Sequence, residues 1–454
     1  MFRSKTLTLR MLPFGKSLLA LAVSSVVSMP LWALDLQQSY EAAVRNDATI
    51  RSARAQADAS RERLPQARSQ LLPNLSLNAS RNRNDLTSDT TSYGQPVSLQ
   101  NDYYSYSKSL SIRQPLYRPA QWAALAQAKA LVEDADAVLE YYEQSLVVRV
   151  GEAYFNALLA SEQVRLIESQ KLSYTEQLKA AVKSFEAGSG TRTDIDEAQA
   201  RLDMTVAQEL EALQNRDLAH RRLEVLLGEP VGELAQLRAE SFKPEAAKLA
   251  EVNAWILRAE AASPELQSLR AQVAAAQAEI DKAEAGHKPT LDVVAQWSKT
   301  SSDSVTSINS RYDHKVVGLQ LAVPLYSGGY VNSTVRQAVA AYTQAQEKLE
   351  AARRDLGIRV HEEFRVLAEG VLKISALEQA VRSAEQAVIS NRKSFVAGSR
   401  TTLDVLNAEQ QRTAALRDLA QGRYTYLLAR LRLQALAGMD KAQSIQQANA
   451  VLAH

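Results

Sequence analysis

The sequence predicts an α+β membrane protein in which very long paired helices continue into a few amphipathic strands. Three observations predict it. FEAGSGTRTD at 185–194 returns as FVAGSRTTLD at 395–404, so one motif recurs 210 positions later. Each copy closes a stretch of more than sixty residues that has no proline and carries apolar residues at heptad spacing. Ahead of each stretch lie short segments in which polar and apolar residues alternate, the period of a strand with one wet face and one oily face.

The N-terminus is read apart from the fold. Arg3, Lys5, Arg10 and Lys16 precede the apolar run SLLALAVSSVV at 17–27, and Ala33 offers a small residue for cleavage. Residues 1–33 are therefore expected to be a signal peptide, the run being too short to span a bilayer. An uncleaved N-terminal anchor is the rival reading. Removing the four basic residues takes the net charge from +2 to −2. A near-neutral exported chain gives no reason to expect nucleic acid as a partner. Downstream there is no run of about 18 apolar residues, so a β-barrel is the one route across a membrane left to it.

The mature chain reads as two copies of one unit. Lys183–Ala198 matches Lys393–Ala408 at nine of sixteen positions, and PLY at 115–117 answers PLY at 324–326. The first repeat is placed at 34–228, with a short helix, a β-hairpin at 74–114, a long helix at 121–184 and a return helix at 193–227. A mixed segment at 229–262 carries Pro230 and Pro244 and reads as an irregular belt at mid-length. The second repeat, 263–439, holds a helix, a hairpin at 290–323, a long helix at 332–394 and a return helix at 403–437, and a tail follows at 440–454.

In the long helices the seam Leu125, Ala128, Val132, Ala135, Leu139, Tyr142, Leu146 returns 210 residues on as Val335 through Leu356. At 1.5 Å per residue each helix is roughly 95 Å long, too long for a globular core, so the helices must pack side by side. In YSYSKSLSIR (104–113) the even positions are mostly apolar and the odd ones all polar, as in a membrane barrel strand. Leu75–Ala79, Leu291–Trp297 and Val317–Val323 alternate similarly, and polar loops are expected at 81–102 and 300–313. Soluble sandwich strands are the competing reading. Four strands cannot close a barrel, whereas two chains would supply eight and three would supply twelve.

Composition argues against an enzyme. The 12 Pro, 16 Gly and abundance of Ala, Gln, Leu, Arg and Glu indicate helices rather than a mixed fold, even at a length that would allow about three domains. With no cysteine there is no thiolate metal site and no cysteine for a lipid anchor. The five histidines are dispersed, GSG at 188–190 lacks the GK[ST] of a phosphate loop, and no GxSxG elbow occurs. No catalytic residue, cofactor or metal is expected.

ARSQLLPNLSL (67–77), AGHKPTLDV (285–293), PLYSGG (324–329) and the two AGS turns resemble the TolC family of outer-membrane channels, from Asp35 to about Met439. The resemblance implies a homotrimer with a 12-stranded outer-membrane β-barrel, four strands per chain, continuous with a long periplasmic α-helical coiled-coil tunnel. Implied partners are a periplasmic adaptor, an inner-membrane ABC transporter or RND pump, and outer-membrane lipid. Implied work is protein secretion of the type I kind, with small-molecule efflux as the alternative; a periplasmic coiled-coil adaptor or scaffold is the alternative from another class.

The repeated motif then falls at the far end of the helices. Gly188 and Gly398 suit the left-handed position that ends a helix, and Asp194 and Asp404 suit an N-cap or first-turn acid. These are, at minimum, two capped turns. The resemblance adds a periplasmic gate: Arg400 matches the gate arginine, Thr193 and Asp194 its partners on the neighbouring hairpin. Phe395 stands where the family pattern has a hydrogen-bonding tyrosine. Asp404 matches the first acid of a constriction ring and Asn407 replaces the second. The turns at Gly188, Ser189, Gly398 and Ser399 are the expected adaptor-docking points.

Overall fold

The computed structural model describes residues 33–238, 242–244, 251–302 and 310–452. The expected signal peptide, parts of the mixed segment, the tip of the 300–313 loop and the last two residues of the tail lie outside the described residues.

The chain opens with three short helices, α1 (Leu36–Asn46), α2 (Ala48–Arg61) and α3 (Arg63–Ser69), where one helix was expected. Asp47 explains the first break: its extended backbone ends α1 while its carboxylate accepts from Ile50 N–H to cap α2. Strands β1 (Asn74–Ser92) and β2 (Gln95–Tyr117) lead into α4 (Pro119–Glu186), which spans 68 residues, or about 100 Å. Pro119 stands in its first turn, where a missing N–H is harmless. Helix α5 (Arg192–Leu227) returns along the lower part of α4. After the belt come α6 (Val252–Ala262), α7 (Pro264–Glu284), β3 (Thr290–Ser302), β4 (Ser310–Ala322), the 67-residue α8 (Tyr330–Val396), α9 (Thr402–Leu436) and α10 (Lys441–Asn449).

The main core sits at mid-length. Leu146, Val150, Tyr154 and Phe155 of α4 pack with Leu223 and Leu227 of α5, Leu356 and Phe364 of α8, and Leu427 and Leu431 of α9. Here the ends of the chain are stitched to the belt: Leu34 bridges Leu234, and Leu237 bridges Leu452. The Tyr154 hydroxyl lies 2.9 Å from Leu34 O and 3.1 Å from Ala235 O, so one buried phenol holds the segment ahead of α1 against the belt. Burial pushes that phenol far above the usual tyrosine range.

The four strands form one antiparallel sheet in the order β1-β2-β3-β4. Register assigns each face. Leu75, Ile112, Ala295 and Val317 share one row, and Leu77, Leu110 and Trp297 share the next. The opposite face carries Ser76, Ser111 and Gln296, then Asn78, Ser109 and Ser298. One face is mainly oily, and the other mainly polar, its two rows completed by Val316 and His314. The sheet has two open edges, β1 and β4.

The loop expected at 81–102 is instead strand. The β1–β2 ladder runs on to Ser92 opposite Gln95, well past the last β2–β3 pair at Ser105 and Ser302. A two-residue turn joins them, with Tyr93 and Gly94 both at positive φ (50° and 82°), the geometry that matches strand twist. The segment reads as loop because beyond the oily rows both faces are wet, so alternation disappears while pairing continues.

Candidate functional site

The two repeated motifs meet at the end of the molecule farthest from the sheet. In the first, Ser189 N–H donates to Ser184 O (2.9 Å) and Gly188 N–H to Phe185 O (2.9 Å). In the second, Ser399 N–H donates to Ser394 O and Gly398 N–H to Phe395 O, both at 2.9 Å. Gly188 and Gly398 hold φ of 76° and 73°, a conformation that costs a side chain dearly. The serine hydroxyls copy each other too, each 3.1 Å from the carbonyl that its own N–H uses.

Each return helix then starts with a capping box. Thr191 and Thr401 are the N-caps, and Asp194 and Asp404 occupy the third helical position. Thr191 donates its N–H (3.0 Å) and hydroxyl (2.6 Å) to Asp194 Oδ2; Thr401 does the same to Asp404 Oδ2, at 2.9 Å each. The Thr191 hydroxyl holds the Asp194 carboxyl below the usual aspartate range, with a further hydrogen bond from the Thr402 side chain. For Asp404 the Thr401 N–H is the largest lowering influence, its hydroxyl the next.

Arg400, matched to a gate arginine, stands in the turn ahead of α9 and reaches Asp404 in the first turn of that helix (Nη1–Oδ1 3.4 Å). Thr193 is exposed, and Phe395 is half-buried at the end of α8. Within one chain, then, Arg400 is not joined to the Thr193–Asp194 corner.

A different arginine joins the two hairpins. Arg201 of α5 donates to Asn407 Oδ1 (3.1 Å) and Gln410 Oε1 (2.7 Å) of α9. Behind this clasp Tyr174, Ala198 and Leu406 form a small buried cluster. Deeper still, Glu409 is 1% exposed and accepts from Arg392 of α8, which also donates to Ser173 of α4 (2.8 Å). Arg201, Gln410, Arg392 and Glu409 escape a reading by repeats, because position 411, the counterpart of 201, is a glutamine.

Elsewhere, a cleft of about 830 Å³ opens between α4, α5 and the belt. Its charges pair locally: Arg165 with Glu162, Arg216 with Asp217, Arg221 with Glu224. Ser161 and His220 lie 3.2 Å apart there, but the Ser161 hydroxyl donates to Ala157 O (2.9 Å) and so accepts from the imidazole. That is no activated nucleophile.

The model of the outer membrane efflux protein family matches residues 39–229 and 255–439. This chain belongs to that family. Among relatives of the efflux-protein family, the proteases secretion protein PrtF of Dickeya chrysanthemi is 34% identical over 434 residues, 95% of this chain and 94% of its own. The alkaline protease secretion protein AprF of Pseudomonas aeruginosa is 38% identical over 416 residues, 90% and 86% of the two chains. The solved outer membrane protein VceC of Vibrio cholerae superposes with a TM-score of 0.73 at 19% identity, over 89% of this chain and 96% of that one. The fold is therefore that of an outer-membrane channel subunit, with the sheet in the outer membrane and the helices in the periplasm.

Proposed function

We propose that the chain is the outer-membrane exit duct of a tripartite export system, passing proteins from an inner-membrane pump and its adaptor to the outside. The observation that carries this reading is similarity along almost the whole chain to two protease-secretion proteins. The fold supplies a physical route for it. Three chains would pool twelve strands into a barrel with the oily rows toward lipid and the Ser/Asn rows toward the lumen. Helices of about 100 Å would carry the lumen on through the periplasm.

In the trimer six helix tips would converge at the periplasmic mouth. Arg201 with Asn407 and Gln410 ties the two hairpins of one chain, while Arg400 would reach the Thr193–Asp194 corner of the next. Asp404 and Asn407 would line the constriction. The turns at Gly188–Ser189 and Gly398–Ser399 would receive the tip of an adaptor hairpin.

The test is complementation. A strain that lacks its own outer-membrane duct but keeps a protease-exporting ABC transporter and adaptor is given this chain, and extracellular protease and drug sensitivity are measured. Restored protease export with unchanged drug sensitivity is expected. Restored drug resistance without export would favour the efflux reading. A chain that extracts without detergent would overturn both in favour of a periplasmic scaffold.

A further inference from the structure

We propose that the outward face of the sheet carries a basic belt that binds phosphate-bearing lipid headgroups of the outer leaflet. The inference rests on the barrel reading, in which the oily rows face lipid. The argument is one of rows. Directly above Leu77, Leu110 and Trp297, on the same face, register places Lys108 beside Lys299, with Lys315 opposite Trp297. The next row holds Arg81, Tyr106, Ser301 and Arg311, and the next Arg83 opposite Tyr104. Five cations thus follow the last apolar row within three rows and a sixth, Lys315, ends that row itself, all on exposed side chains.

The acids on this face offset only part of this charge, although Asp313 stands opposite Lys299. Asp313 accepts from the indole N–H of Trp297 (2.9 Å), and Asp102 pairs with Arg83 (2.8 Å). Asp85 stands opposite Asp102, one row beyond the cations. Among the described residues Lys108, Lys299, Arg311 and Lys315 have no ion-pair partner, and Arg81 stacks over Tyr104 and Tyr106 at 5.0 and 5.3 Å. Moving away from the helices, the face therefore passes from oily to basic-aromatic to acidic. The helices are periplasmic, so the basic rows lie at the outer leaflet, where headgroup phosphates begin. The polar face lacks this fringe at the same height, with Ser80, Ser107 and Thr300 in place of the cations. A solvated loop region would not confine its cations to one face.

Trp297 reports on this belt. In a chain carrying Trp32→Phe, Trp122→Phe and Trp255→Phe, Trp297 is the remaining tryptophan. Trimers of it are placed in phosphatidylcholine vesicles doped with brominated phosphatidic acid or brominated phosphatidylcholine, and quenching is compared. Quenching by the anionic lipid is expected to be roughly threefold stronger at low salt and to converge on the zwitterionic value near about 0.5 M NaCl. The added substitutions Lys108→Gln, Lys299→Gln, Arg311→Gln and Lys315→Gln are expected to abolish the preference while leaving quenching by phosphatidylcholine and the trimer band unchanged. Equal quenching by both lipids in the parent, or a preference that survives the four glutamines, overturns the belt. Quenching by neither lipid overturns the barrel reading on which it rests. If the four-glutamine chain does not trimerise, the salt dependence of the parent decides.

Discussion

Arg201 of α5 donates 3.1 Å to the side-chain oxygen of Asn407 on α9, and the same guanidinium reaches Gln410 at 2.7 Å. Asn407 is thus an acceptor inside an inter-hairpin clasp. A neutral amide there satisfies a cation that already bridges two helices.

Breaking the clasp is expected to open the mouth. One hydrogen-bonded link of this exposure is worth about 1 kcal/mol, so three copies in a trimer shift a closed–open equilibrium on the order of a hundredfold. Arg201→Ser trimers in planar bilayers should show raised single-channel conductance. Asn407→Asp should do the reverse, since a charge-assisted bond is stronger, and should also raise cation preference. Unchanged conductance in Arg201→Ser would leave the clasp as packing alone.

The turn glycines give a second prediction. Neither Gly188 nor Gly398 has an atom within 4 Å of where a Cβ would stand, so a larger residue meets no clash. What it meets is a φ above 70° in both turns, which a β-branched side chain resists. Gly188→Val with Gly398→Val is expected to reshape both turns and abolish export while trimers still reach the outer membrane. Blot and export assay on the same cells check this, and normal export would refute adaptor docking at these turns.

The capping boxes predict a pH response at the tips. Asp194 and Asp404 titrate below their ordinary value of 3.8 in the folded state, because threonine groups donate to the carboxylates. Their contribution to the turns is therefore full above about pH 4 and is lost as pH falls through the lowered values. Amide protection factors at 191–194 and 401–404, corrected for intrinsic exchange, should drop in that window. In a chain with Asp194→Asn and Asp404→Asn the drop should vanish.

The fold was legible because duplication and periodicity run along most of the chain. The heptad seam found the long helices, and alternation at Ser105–Arg113, broken only at Lys108, found the strand that faces lipid on one side. Alternation failed where the environment stopped being two-sided, which is why β1 and β2 were cut short near Arg81 and Asp102. At the tips the turns were legible because each is local, fixed by Gly188 or Gly398 and a threonine three residues before its acid. The Arg201–Asn407 clasp was not, because it joins residues 206 apart in sequence. Nothing in either local stretch says which arginine faces which helix.

Arg400 provides the remaining test, and its outcome turns on geometry between chains. Within one chain it sits beside Asp404, an exposed pair between the turn and the first turn of α9, which by itself holds no two helices together. If that is its whole role, Arg400→Ser leaves conductance at the wild-type value, and the double variant with Arg201→Ser conducts no better than Arg201→Ser alone. If instead Arg400 crosses to Thr193 and Asp194 of the neighbouring chain, the two arginines close different seams of the mouth. Arg201 then ties hairpins within a chain and Arg400 ties chains to one another. We expect the second case: Arg400→Ser raises conductance, adding Asp194→Ala changes little further, and Arg201→Ser with Arg400→Ser opens the pore more than either alone. Asp404→Ala should weaken cation selectivity with little effect on opening. A double variant no more conductive than the stronger single one would show that both arginines serve one seam.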